Sequence, residues 1–153
     1  MFSALDIHRV AHALHRHKVP IAPQVLRKLC QFFYGSYIGA AAQIGSGTEL
    51  AYGGLGIVIH PSSRIGRNVL VGPHVTIGGR SSSSGAPIIE DDVKIGAGAC
   101  VLGDIRIGSG ALIGANAVVI HDVPARAVVA GVPARAIGRP RGKPRPRDQR
   151  RSL

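Results

Sequence analysis

The 153 residues contain no tryptophan, and Phe and Tyr together number six. A core of stacked aromatics is excluded, so aliphatic side chains must fill the interior. Cysteine is scarce: Cys30 and Cys100 are too few for a disulfide framework. Cys30 falls in an expected helix and Cys100 in a repeat, and both read as small buried apolar residues in a reducing compartment. Acids number 8 against 19 Lys and Arg, a formal charge of +11. Seven of those cations and one acid, Asp148, lie between Arg139 and Leu153, so that segment carries +6 of the excess. Its Pro and Arg content predicts a disordered basic tail over 139–153, and the lack of interleaved aromatics argues against nucleic acid as a partner. No hydrophobic run approaches the length that spans a bilayer. Asp6, His8 and Arg9 interrupt the apolar residues of the first dozen positions, so no leader core is read there. A cytoplasmic protein with no membrane partner is expected.

Glycine is plentiful, at 21 residues, and hydrophobic residues make up 45% of the chain, which excludes a disordered protein. Helical spacing of Leu5, Ile7, Val10, Ala11 and Leu14 predicts a first helix over 3–17, with Ser3 and Asp6 as a capping box. Val25, Leu26, Leu29, Cys30 and Phe33 share one side of a second helix over 22–34, with Pro23 in its first turn and Gly35 ending it. Residues 1–35 form an N-terminal helical cap in this reading.

From Ile38 the period becomes six. Aliphatics fall at Ile38, Ile44, Leu50, Ile59, Ile65, Val71, Ile77, Ile89, Ile95, Val101, Ile107, Ile113 and Val119, thirteen sites in all. Eight of them are followed directly by Gly, and the residue two before each is usually small or β-branched. Side chains alternate along a strand, so those two positions share one face. A glycine after each strand is expected to supply a positive φ for the turn. Short strands and turns in one unbroken phase indicate a mainly β protein, a parallel β-helix over 36–138. A β-sandwich does not keep one phase over so many repeats.

The phase breaks twice. Three extra residues lie within 51–56, and a polar loop at 79–87 leaves the prism. Loops on a rigid scaffold are where function is usually placed.

The repeat Ile-Gly-x-x-x-x resembles the hexapeptide-repeat acyltransferases. Residues 55–79, LGIVIHPSSRIGRNVLVGPHVTIGG, then Gly85-Ala86-Pro87, and the Ala130-Gly-Val-Pro-Ala-Arg135 segment resemble the short members of the serine O-acetyltransferase family. The resemblance implies a left-handed parallel β-helix with a short N-terminal helical cap. It implies a homotrimer that binds acetyl-CoA and its acceptor between adjacent prisms. It also implies acetyl transfer to L-serine, feeding cysteine synthesis. A sugar hydroxyl acceptor and a non-catalytic scaffold remain alternatives. The longer members carry an Asp-His pair that aligns with Ala51 and Tyr52, a loop His that aligns with Ala86, and an acid that aligns with Tyr37, so their usual pair of histidines is missing.

Transfer to a hydroxyl needs a base and donors for the thioester oxyanion. Turn amides of the glycine-rich coils can serve as the donors. His60, beside Pro61 and just after the first break, is the first candidate base. His74 is the second, and Tyr52 is a candidate for orienting the acceptor or a His. Each has a plainer reading as a solvated turn residue or a ring packed on glycines. For the cofactor, the likeness points to Gly78, Gly79, Ala97, Gly98, Ala115 and Arg135. His8, His12 and His15 share a helix face at metal-compatible spacing, yet read as solvated, and no metal is expected.

Overall fold

A computed structural model describes residues 3–81 and 85–138. Two helices open it, α1 (Ala4–Arg16) and α2 (Ala22–Tyr34). Ser3 caps α1 through a full capping box with Asp6, and Gly35 closes α2 at φ 62. The strands that follow are short: β1 (Tyr37–Ile38), β2 (Gln43–Ile44), β3 (Glu49–Leu50), β4 (Val58–Ile59), β5 (Arg64–Ile65), β6 (Leu70–Val71), β7 (Thr76–Gly78) and β8 (Ile88–Ile89). They continue as β9 (Lys94–Ile95), β10 (Cys100–Leu102), β11 (Arg106–Ile107), β12 (Leu112–Ile113), β13 (Val118–Val119), β14 (Val128–Ala130) and β15 (Arg135–Gly138).

Every third strand stacks in parallel on the one before, giving a prism with three faces. The first face is β1-β4-β7-β10-β13, the second β2-β5-β8-β11, and the third β3-β6-β9-β12-β14. The register pairs the aliphatic sites with each other, as in Ile59 with Ile77 and Ile77 with Val101. The parallel β-helix expected from the period of six is therefore the fold. At the end, β15 turns back antiparallel on β14 and closes the third face.

Of the thirteen aliphatic sites, all but Ile44 are buried, as are the residues two before them, from Ser36 to Ala117. Ile44 lies in the opening coil, beside the helical cap, and is half-buried. Of the three polar residues in the inner columns, Thr48 and Ser36 find partners for their hydroxyls, and Ser63 finds none among the described residues. The Thr48 hydroxyl donates to Gly66 O at 2.8 Å and accepts from the Val69 amide, and the Ser36 hydroxyl bonds Gly54 O and the Ile57 amide.

Two expectations about small residues are corrected. The glycines that follow the aliphatic sites do not adopt positive φ. At seven of the eight, all but Gly78, the next coil passes too close for a side chain: a Cβ on Gly96 would sit 2.5 Å from Ala115 N, and one on Gly72 2.6 Å from Ala97 N. Positive φ belongs instead to the residue three before the aliphatic site, at two of the three corners. Cys100 is half-exposed, not buried, because it is the outward residue of its strand pair.

The helices also differ from expectation. Cys30 and Pro23 are the buried residues of α2, while Val25, Leu29 and Phe33 of the predicted apolar side stay exposed. His8 is not solvated: it is 4% exposed, and its Nε2–H donates to Ala42 O at 3.2 Å. His12 donates from Nδ1 to Ala40 O at 2.8 Å, so these two histidines dock α1 onto the first coil. His15 is exposed, as expected. The basic tail at 139–153 and the centre of the 79–87 loop lie outside the described residues.

Candidate functional site

The corner leading into the first face repeats one backbone geometry. Gly56, His74, Gly98 and Asn116 occupy it in successive coils, with φ of 66, 57, 70 and 56. Their amides bond down the stack: His74 N–H to Leu55 O, Gly98 N–H to Pro73 O, and Asn116 N–H to Ala97 O, all within 2.8–2.9 Å. Glycine, asparagine and histidine are among the residues that best tolerate this conformation. His74 is thus an exposed imidazole at a position otherwise held by Gly and Asn. Its ring lies where a Cβ on Gly56 would stand, so Gly56 makes the room for it.

The three-residue break falls at this same corner. It folds as a short 3-10 turn, Ala51–Gly54, with Tyr52 at φ 53 and 80% exposed. Gly56 N–H donates to Tyr34 O, and a Cβ on Gly53 would lie 3.4 Å from the Tyr34 ring, so the break rests against the end of α2. Further down the same corner come Ala97 and Ala115, both exposed, and half-exposed Gly98. They form a strip with no bulky side chain. It leads to β13, where Val118 N–H donates to Gly131 O and Ala134 N–H donates to Val118 O. Tyr52, His74, Ala97, Gly98 and Ala115 therefore share one edge, and the 130–135 segment closes it. Arg135, the last residue of this segment, is exposed at the start of β15.

His60, Gly78 and Gly79 lie elsewhere, at the corner where the first face ends. His60 N–H donates to Ile77 O, which places His60 beside Gly78 in the next coil. Four residue positions of strand and turn separate this edge from the His74 edge, roughly 13 Å. Within one chain the two candidate bases do not meet. The His60 imidazole is half-buried, and its Nδ1 accepts the Ser62 amide at 3.2 Å. In neutral His60 the ring proton consequently resides on Nε2, leaving a donor and no free lone pair. Ala86, aligned with the loop histidine of longer relatives, is buried, while Tyr37 lies under the Arg27 guanidinium, 5.1 Å from its ring centre.

The remaining corner is a charged ladder. Arg67 pairs with Asp91 at 2.9 Å, and Arg106 with Glu90 at 2.9 Å. The amide and guanidinium of Arg67 hold the Asp91 carboxyl below its ordinary range, and Arg106 with Ser109 does the same for Glu90. Among the described residues no cluster of three metal-binding side chains occurs.

Comparison with known proteins adds a repeat match and a set of relatives. The model "Bacterial transferase hexapeptide (six repeats)" matches residues 86–121. The serine acetyltransferase of Bacillus licheniformis is 42% identical over 136 residues, 88% of this chain and 62% of that protein. This chain carries the repeat of the hexapeptide transferases and is similar to the serine acetyltransferases over most of its length. The serine acetyltransferase of Synechococcus elongatus is 40% identical over 140 residues, 90% of this chain and 57% of its own length. Among solved structures of the family, the Neisseria gonorrhoeae serine acetyltransferase in complex with serine superposes with a TM-score of 0.82. It is 38% identical and covers 86% of this chain and 54% of that one. The Vibrio cholerae O1 enzyme superposes with a TM-score of 0.85 at 38% identity, covering 90% of this chain and 54% of its own. The chain spans about 60% of the length of the curated relatives it matches.

The residue that spacing alone ranked second, His74, is the one that shares an edge with Tyr52 and the small-residue strip. A sequence signal for that edge exists. The site three before the aliphatic reads Gly56, His74, Gly98, Asn116, a column of residues that accept left-handed backbone.

Proposed function

We propose that this protein is an acetyl-CoA-dependent O-acetyltransferase acting on L-serine, a cytoplasmic enzyme of cysteine synthesis. One observation carries the reading: a free imidazole, His74, stands at the head of the small-residue edge formed by Ala97, Gly98 and Ala115, in a chain about 40% identical to serine acetyltransferases. In this mechanism the acceptor hydroxyl gives its proton to the His74 imidazole as its oxygen attacks the thioester carbonyl. The tetrahedral intermediate collapses to the acetyl ester and expels the thiolate of CoA, which takes the proton back from the imidazolium. Tyr52 orients the acceptor through its hydroxyl. Pantetheine lies along Ala97, Gly98 and Ala115, whose side chains are no larger than methyl, and Arg135 meets the phosphates.

The acceptor cleft forms between subunits of a homotrimer. Outward residues of the first face are Tyr37, Val58, Thr76, Cys100 and Val118, a column with no charge. The second face presents Arg64 and Arg106, and the third Glu49 and Lys94. Packing the uncharged face against a neighbour's corner brings His60, with its Nε2–H donor, and the Gly78 and Gly79 backbone of one subunit toward His74 of the next. His60 then acts as a donor to the acceptor or the oxyanion.

A sugar hydroxyl is the second reading. It is favoured by Ala51, Tyr52 and Ala86 at the positions of the charged and histidine side chains in longer relatives, and by the exposed Tyr52 ring. Release of CoA thiol from acetyl-CoA, followed across L-serine, homoserine and a sugar panel, decides between them. Turnover with serine alone supports the first reading, and turnover with sugars alone replaces it. Silence with every acceptor leaves a scaffold.

A further inference from the structure

The outer side of the helical cap is apolar, and nothing among the described residues covers it. Phe32 is 83% exposed, and Phe33 and Ile21 are each 70% exposed. Val25 and Leu29 are exposed beside them. At 100° per residue these five positions, Ile21 being the N-cap of α2, fall within an arc of about 120°, apart from Cys30 and Pro23, which face the interior. The Phe32 and Phe33 rings meet edge to face at 5.3 Å. An apolar groove of about 440 Å³ continues the surface onto α1, lined by Ile7, Leu26, Leu29, Phe33 and Tyr34.

Charge decides what such a surface fits. Between Asp6 and Glu49 the chain has no acid and five cations, Arg9, Arg16, Lys18, Arg27 and Lys28. Arg16 and Lys18 precede Ile21, and Lys28 lies one helical turn before Phe32; all three are exposed. A second copy of the cap would bring like charges together with no acid to offset them. An anionic bilayer offers both complements at once, negative headgroups for the cations and an acyl boundary for the apolar arc. We propose that α2 seats this protein on an anionic lipid surface as a peripheral, interfacial helix. The absence of a membrane partner was expected because no hydrophobic run is long enough to span a bilayer, a criterion that does not address a helix lying in the interface. The contact is interfacial, since no helix among the described residues is long and apolar enough to cross a membrane.

The test is co-sedimentation of the full chain with vesicles of phosphatidylcholine alone or with about 30% phosphatidylserine. The expected result is binding to the anionic vesicles that weakens as salt rises from about 0.1 M to about 0.5 M, with little binding to the neutral ones. Phe32→Ser with Phe33→Ser should lower the partition by roughly tenfold or more, and Arg16→Glu, Lys18→Glu and Lys28→Glu together by a similar factor. These side chains are exposed, so an unchanged circular-dichroism melt verifies that the variants fold. Absence of binding to either vesicle overturns the proposal. So does binding that survives the phenylalanine changes but is lost when Arg145, Arg147, Arg150 and Arg151 become Glu, since the tail would then carry it. Concentration-dependent self-association that disappears with the phenylalanines, without vesicle binding, assigns the surface to a second copy instead.

Discussion

Gly56 and His74 hold the same turn position in successive coils, and the His74 ring occupies the space a side chain on residue 56 would need. The candidate base is therefore positioned by a residue that contributes no side chain. Gly56→Ala must place an alanine at φ 66 and push the imidazole away. A loss of about 2 kcal/mol in stability is expected, with a fall in acetyl transfer larger than the stability loss explains. Chemical denaturation and the thiol-release rate, measured on the same variant, check both.

The two histidines should separate by role. His74→Ala should lower the acetyl-transfer rate by roughly 100- to 10,000-fold, the contribution of a general base, with acetyl-CoA binding retained. His60→Ala should cost less, because the Nδ1 of His60 is engaged by the Ser62 amide. His60→Gln, which keeps a side-chain donor, should recover part of that loss. Reversed magnitudes would assign the base to His60.

Acid should loosen the cap before it unfolds the prism. Burial first, then the neighbouring His12 charge, lower the His8 pKa to about 4. The unfolded chain binds the proton near 6.5, so the folded state binds fewer protons between those values. Stability is full above pH 6.5 and falls as pH drops toward 4, by roughly 3 kcal/mol in total. The carboxyls of Glu90 and Asp91 have lowered pKa values and contribute a separate loss below their ordinary range. Melting temperature against pH should show the upper step in the wild type and lose it in His8→Gln.

The uncharged first face makes the assembly testable. Val58 is exposed on that face, in β4, so Val58→Arg leaves the core intact. Sedimentation should show a trimer for the wild type and a smaller species for the variant. A wild-type monomer at micromolar concentration would remove the shared cleft.

Ile107 is 0% exposed and stacks on Ile89. Ile107→Ala should cost about 2–5 kcal/mol, the range for large-to-small core changes, read as a shift in denaturation midpoint at constant slope.

The sequence alone determined the prism. A period-six column of Ile, Leu and Val can be buried only if successive coils stack in register, so the faces, their register and the core followed from spacing. Ser3, Asp6 and Gly35 likewise set the helix ends, because capping is local chemistry. Long-range approach decided the rest. The glycines after each strand read equally well as turn formers or as close-contact residues, and only the passage of Gly96 against Ala115 separates the two. His8 looked solvated because its partner, Ala42 O, is 34 residues away. The proposed order of His74 before His60 also rests on the third dimension. One imidazole has its lone pair taken by a backbone amide and the other stands free on the edge that carries Tyr52, Ala97 and Ala115. A linear pattern records which residues can occupy a corner, but stacking decides which corners become one edge.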